Sequence, residues 1–187
     1  DAGLPTQVFS DIKANPVGKN ISDGLRAFHE GGHDGVIAFG GGSAMDAGKT
    51  IAFMAGQKRG LWDFEDIGDN WKRAETDAIA PVVAVPTTSG TGSEVGRATV
   101  VIDENNETKK ILFPPRMLPE LVICDPFLVT GLPPHLTAAT GMDALAHCLE
   151  AYCVNAYHPM ADGIALEGLR QVHDWLEKAV KDGQDLE

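Results

Sequence analysis

Short, continuously apolar runs closed by glycine- or proline-bearing turns alternate along this chain with stretches whose apolar side chains recur every three or four positions. Gly35–Phe39 (GVIAF) and Pro81–Val85 (PVVAV) are runs of the first kind and read as strands buried on both faces, as in a parallel sheet. Ile21–Glu30 is of the second kind: Ile21, Leu25 and Phe28 fall at helical spacing, and Gly31-Gly32 stops the helix. Three glycines, Gly40-Gly41-Gly42, follow the first strand and lead into a helix over Ala44–Ala55. Ser43 is the expected N-cap, and Asp46 suits the positive end of that helix. Helix, buried strand, glycine turn and helix is the rhythm of a parallel α/β sheet.

Elsewhere the pattern predicts fewer regular elements. Residues 1–20 read as loop around one extended stretch, Thr6–Phe9, and residues 57–80 as a long polar loop with room for one helical turn. Ala98–Ile102 and Lys110–Phe113 form a hairpin across the polar turn Asp103–Thr108, and Leu121–Cys124 is a further short strand. After Gly131-Leu132-Pro133-Pro134 the pattern becomes helical, over Thr137–Val154 and Pro159–Lys181. The expected organisation is an α/β domain over 1–131, followed from 132 to 187 by the start of an all-α region.

The formal net charge of −12 argues against a nucleic-acid partner, which requires a basic face. No apolar run approaches the ~18 residues needed to span a bilayer. Cys124, Cys148 and Cys153 are odd in number and contain no CxxC pair, so reduced, mostly buried thiols in a cytoplasmic protein are expected.

Three constellations could carry chemistry. A strand running into Gly-Gly-Gly-Ser and a helix can cradle a phosphate, because glycines admit close approach and helix N-terminal amides attract anions. It can equally be a tight turn without a ligand, and the spacing is not the GxGxxG of a standard dinucleotide fingerprint. Pro86–Glu94 (PTTSGTGSE) follows the second strand. Its hydroxyls could bind a sugar or carboxamide, or merely satisfy neighbouring backbone. Asp143 and His147 stand four apart on a helix, where they could grip one Fe, Zn, Mn or Ni ion or simply pair with each other. Met142, Leu145 and Leu149 around them suggest a helix packed within protein. His135, just before this helix, is a weaker candidate ligand, and the other histidines are expected in surface or packing roles.

Taken in order, GGGSxMD at Gly40–Asp46, PTTSGTGSE at Pro86–Glu94 and TGMDALAHCLEAY at Thr140–Tyr152 resemble the iron-containing (group III) alcohol dehydrogenase family. The resemblance covers essentially the whole chain. It implies an N-terminal domain that binds NAD or NADP and a C-terminal helical domain that holds Fe2+ or, alternatively, Zn2+. Carried over by position, Gly41, Gly42 and Ser43 hold the pyrophosphate, and Thr87, Thr88 and Thr91 line the nicotinamide–ribose end. Lys109 contacts the cofactor, with Lys110 beside it as the competing choice, and Asn15 lies near the adenosine side. Asp143 and His147 match the first two metal ligands. The family's other two metal ligands lie beyond Glu187 and its first strand–turn unit before Asp1, so the chain reads as the central part of a family member. A small alcohol or aldehyde is the implied substrate and a homo-oligomer the implied assembly. A truncated, inactive nucleotide-binding module is the competing reading.

Overall fold

The computed structural model describes residues 3–186. The chain forms two compact units. The first holds the chain through Pro86 together with Ser93–Ile123, and the second holds Thr87–Gly92 and the chain from Cys124 onward.

In the first unit, helix α1 (Gly18–Glu30) precedes strand β1 (Val36–Gly40), helix α2 (Gly42–Met54) and strand β2 (Val82–Pro86). The hairpin β3 (Thr99–Asp103) and β4 (Thr108–Leu112) follows, then the two-residue strand β5 (Leu121–Val122). β1, β2 and β5 form one parallel sheet in that order, and β3 pairs with β4 antiparallel. The fold is therefore α/β with a parallel sheet. Helix α1 starts at Gly18 because the Asn20 side chain accepts the Val17 N–H at 3.0 Å, satisfying an otherwise orphaned donor.

Helix α2 is the most deeply set element, with every residue from Ala47 to Met54 buried. Gly48, in its middle, lets it lie close on β1: a Cβ there would come within 2.7 Å of the Ala38 methyl. Around its far side Ile21, Ile51, Phe53, Phe64, Val101, Leu112 and Met117 form the main core. Phe53 and Phe64 meet edge to face at 4.9 Å, the favoured arrangement of two aromatic quadrupoles.

Several expectations need correction. β1 is not buried on both faces: Ala38 lies under α2, whereas Ile37 and Phe39 on the opposite face are exposed. Alternation along the strand sends these side chains to the face that α2 does not cover. Thr6–Phe9 pairs with no strand; Phe9 instead packs on the core while Val8 is exposed. The polar segment 57–80 contains three short 3-10 turns, Leu61–Phe64, Asn70–Arg73 and Thr76–Ala78, rather than one. All three cysteines are free, but Cys124 and Cys153 are exposed and Cys148 is half-buried, so the thiols are not mostly buried.

In the second unit, helix α3 (Pro134–Cys153) is followed by helix α4 (Pro159–Lys181). Pro134 occupies the first turn of α3, where its missing N–H costs nothing. The two helices run antiparallel, with Gly141 of α3 against Leu176 of α4 and Cys148 of α3 against Gly168 of α4. His158 caps α4 by accepting the Ala161 N–H at 3.2 Å. Helix α3 buries no residue, and Met142 and Leu149 are exposed, contrary to the packed helix that its apolar residues suggested. No described helix is long and apolar enough to cross a membrane.

Candidate functional site

The glycine turn forms because β1 must reverse into α2 within very few residues. Gly40 has φ +143, a conformation side chains resist, and a Cβ there would stand 2.7 Å from the Ala44 methyl. The N-cap of α2 is Gly41, not Ser43, and no side chain caps the helix. The first-turn amides at Gly42, Ser43 and Ala44 therefore have no intrahelical acceptor, leaving positive dipole ends at the strand's carboxyl edge. Ser43 is drawn away from capping by a long-range bond: its Oγ accepts the Asn15 N–H at 3.1 Å. Asn15 has φ +56, a left-handed conformation that Asn tolerates better than most residues. The structure thus brings Asn15 and Ser43 together, although they lie 28 residues apart.

The threonine loop leaves from the neighbouring strand end, since Pro86 at the end of β2 pairs in register with Gly40. Thr87, Thr88 and Thr91 are half-buried. Gly90, at φ +151, lies so close to the Thr140 carbonyl of α3 that no Cβ fits between them. The loop therefore rests backbone to backbone on the helix that carries Asp143 three residues later.

Lys109 is exposed on β4, paired across the hairpin with Ile102. The Ile102 N–H in turn donates to the Pro16 carbonyl at 2.8 Å, which ties the hairpin to the Asn15 segment. Lys110 is committed elsewhere, to Asp103 at 3.0 Å and Glu65 at 3.1 Å. The Asp103 bond, followed by the Glu65 bond, raises its ammonium above the ordinary lysine range.

Asp143 and His147 do face each other, with His147 Nδ1 3.7 Å from Asp143 Oδ2, and both side chains are about half exposed. One carboxylate oxygen and one imidazole nitrogen form a borderline donor set that fits Fe2+ or Zn2+. Protein sites for such ions take about three or four ligands. Among the described residues no group of three or more His, Cys, Asp or Glu converges on a common point, and His135 does not join the pair. The donor chemistry fits such an ion, and two side chains are fewer than a complete site takes.

Sequence reasoning missed one group. Lys49 is wholly buried in α2, and its ammonium donates to the carbonyls of Ser93, Gly96 and Ala98 at 2.7, 2.8 and 2.7 Å. Asp46, one turn before it, accepts the Ser93 hydroxyl at 2.6 Å and the Val100 N–H at 3.0 Å. Burial pushes Lys49 down to about 8, against the pull of Asp46 and Glu94 toward the charged form. Burial likewise raises the Asp46 carboxyl, opposed by its bonds to Ser93 and Val100. In sequence, Asp46 and Lys49 look like an ordinary surface pair three residues apart; only the apolar residues on both sides of Lys49 hint otherwise.

Comparison with known proteins bears directly on these motifs. A family model described as iron-containing alcohol dehydrogenase matches residues 1–126, and one described as Fe-containing alcohol dehydrogenase family, C-terminal, matches residues 137–187. The chain is 44% identical to 4-hydroxybutyrate dehydrogenase of Cupriavidus necator over 98% of its own length and 47% of that protein. It is 38% identical to 1,3-propanediol dehydrogenase of Citrobacter freundii over 100% of its length and 47% of that protein. Among solved structures, a 1,3-propanediol oxidoreductase superposes with a TM-score of 0.90 at 37% identity, covering 96% of this chain and 46% of that one. Sulfoacetaldehyde reductase from Bifidobacterium kashiwanohense, solved in complex with NAD+, superposes with a TM-score of 0.89 at 30% identity, covering 96% and 47%. The chain thus spans about half the length of the curated relatives it matches. With both family models matched in order and the parallel α/β fold shared, this chain belongs to the iron-containing alcohol dehydrogenase family.

Proposed function

We propose that the protein is an oxidoreductase that moves a hydride between a small alcohol or aldehyde and NAD or NADP, assisted by Fe2+ or Zn2+. The observation that carries this reading is the turn Gly40–Ser43, set at the carboxyl end of a parallel strand and opening into an uncapped helix N-terminus. When bound, the nicotinamide supplies the hydride acceptor and the metal supplies Lewis acidity toward the substrate oxygen. The amides of Gly41, Gly42 and Ser43 offer hydrogen bonds and a positive dipole to the pyrophosphate. Asn15, fixed on Ser43, borders that turn. The hydroxyls of Thr87, Thr88 and Thr91 offer donors and acceptors to the nicotinamide–ribose end, and Lys109, free of the ion pairs that hold Lys110, offers a charge. Asp143 and His147 would hold the metal, with the carboxylate ionised and the imidazole neutral. The names of the relatives, 4-hydroxybutyrate dehydrogenase and 1,3-propanediol dehydrogenase, support a small alcohol.

A second reading has its own observation. Because Asp143 and His147 are half exposed and no third donor joins them among the described residues, the 187-residue chain by itself could bind nucleotide without turning over. Titration with NADH, and separately with Fe2+ or Zn2+, divides the readings. NADH binding with alcohol-dependent reduction of NAD+ supports the enzyme, and NADH binding without it supports the module. Asp143→Ala should lower metal affinity by about tenfold or more. Metal binding that is indifferent to this substitution removes Asp143 from the site.

A further inference from the structure

The Lys49 ammonium has three protons and meets three backbone carbonyls, so its donor capacity is used in full. All three belong to Ser93–Ala98, a segment without helix or strand. A buried charge is a costly way to fill space, and an apolar side chain of similar length would pack in α2 without the desolvation cost. What a methionine or leucine cannot do is gather three carbonyls from irregular backbone onto one point. Asp46 grips the chain on either side, through the Ser93 hydroxyl at the start of the segment and the Val100 N–H in β3 just after it.

The segment begins where the threonine loop ends, since Ser93 follows Gly92. The other end of that loop is Pro86, held in register with Gly40 at the glycine turn. Both anchors of the six-residue loop are therefore set by β1 and α2, and α2 also presents the first-turn amides of the glycine turn.

We propose that Lys49 is a positioning residue for the nucleotide: by clamping Ser93–Ala98 to α2 it fixes Ser93, the downstream anchor of the threonine loop, on the helix that opens from the glycine turn. The nucleotide's place in this proposal rests on the function proposed above, whereas the clamp stands on the bonds themselves. Lys49 touches no cofactor in this scheme and acts only through the backbone it holds. Its loss should therefore weaken nucleotide affinity without unfolding the sheet.

The test uses the 187-residue chain, Lys49→Met, Lys49→Arg and NADH as the probe. In Lys49→Met, amides 93–98 should exchange with deuterium about tenfold faster while those of β1 and β2 keep their protection. The NADH Kd should rise about tenfold, because a misplaced loop loses aligned contacts. Lys49→Arg keeps the charge and donors and should recover part of the affinity. Unchanged exchange over 93–98 overturns the clamp, whatever NADH does. Faster exchange with unchanged NADH affinity overturns the positioning role and leaves the proposed function standing. A wild-type chain that binds no NADH overturns the proposed function and the positioning role, and the exchange result still decides the clamp. Should Lys49→Met fail to fold, the 15N signal of the Lys49 ammonium in the wild-type chain is the readout. A slowly exchanging signal that shifts on NADH addition supports the proposal, and one that is absent or indifferent overturns it.

Discussion

The two units of this chain treat their candidate site residues in opposite ways. In the α/β unit the glycine turn stands on a helix whose residues from Ala47 to Met54 are all buried, and every buried side-chain polar atom among the described residues has a partner. In the helical unit Asp143 and His147 sit on a helix that buries nothing, and they pair only loosely, at 3.7 Å. A nucleotide turn made of backbone amides needs rigid support, because a small shift of the chain misaims every donor. A metal pair gains its geometry when the ion and further ligands arrive, so two exposed donors can wait on one helix face. The α/β unit thus holds its glycine turn on a buried helix, whereas the helical unit leaves Asp143 and His147 open to solvent.

The sharpest way to break the comparison is to compare truncations. Phe53→Ala, in the α/β core, should cost about 3–5 kcal/mol through lost burial and a cavity. Leu149→Ala on exposed α3 should cost under about 1 kcal/mol. Urea denaturation of both variants measures this, and similar losses would mean that Leu149 is packed rather than exposed. A smaller effect with opposite signs is expected from Ser43→Asp. A carboxylate in the first turn of α2 suits the helix dipole, so stability should hold or rise by about 0.3–1 kcal/mol. The same charge repels a pyrophosphate, so NADH should bind about 10- to 100-fold more weakly. If Ser43→Asp leaves NADH affinity intact, the phosphate site lies elsewhere.

The two units should also differ in their response to pH. At Lys49, between about 8 and its ordinary value of 10.5, the folded chain binds fewer protons than the unfolded one, so stability rises with pH in that window. Lys110 does not oppose this until higher pH, because its raised value keeps its contribution whole below 10.5. In the helical unit, Arg170 holds the Glu167 carboxyl down at about 2, with help from Gln171. The contribution of Glu167 stands above its ordinary 4.5 and is lost as pH falls toward 2. It is modest, since the pair is exposed. Denaturation midpoints from about pH 7 to 10 should climb in the wild-type chain and flatten in Lys49→Met. A wild-type midpoint that falls over that range contradicts the assignment.

Most elements were legible because their periodicity is local: α1, α2, the hairpin and both long helices lie within a few residues of where the apolar spacing puts them. The failures are long-range in origin. Ser43 has the composition of an N-cap, yet its hydroxyl is bound to Asn15, and nothing within one helical turn signals that. Lys49 looks like a solvated charge until the fold delivers three carbonyls to it from residues more than forty positions away. Leu149 and Met142 look like core, but apolar composition cannot say whether a covering surface is present. The Asp143/His147 spacing was correctly placed on one helix face, while the number of ligands that join the pair is a tertiary property that spacing does not contain.

The contact between Gly90 and the Thr140 carbonyl has a practical consequence for anyone recombining this protein with its relatives. Although β2 delivers the threonine loop, residues 87–92 are seated on α3, with no room for a side chain at their point of contact. A chimera that takes the helical part from another family member and keeps this loop would set two unmatched backbones against each other. The crossover points that respect the contact are Pro86 and Ser93, with the loop travelling alongside the helices. A junction placed only near residue 131 would divide a pair of surfaces that fit each other.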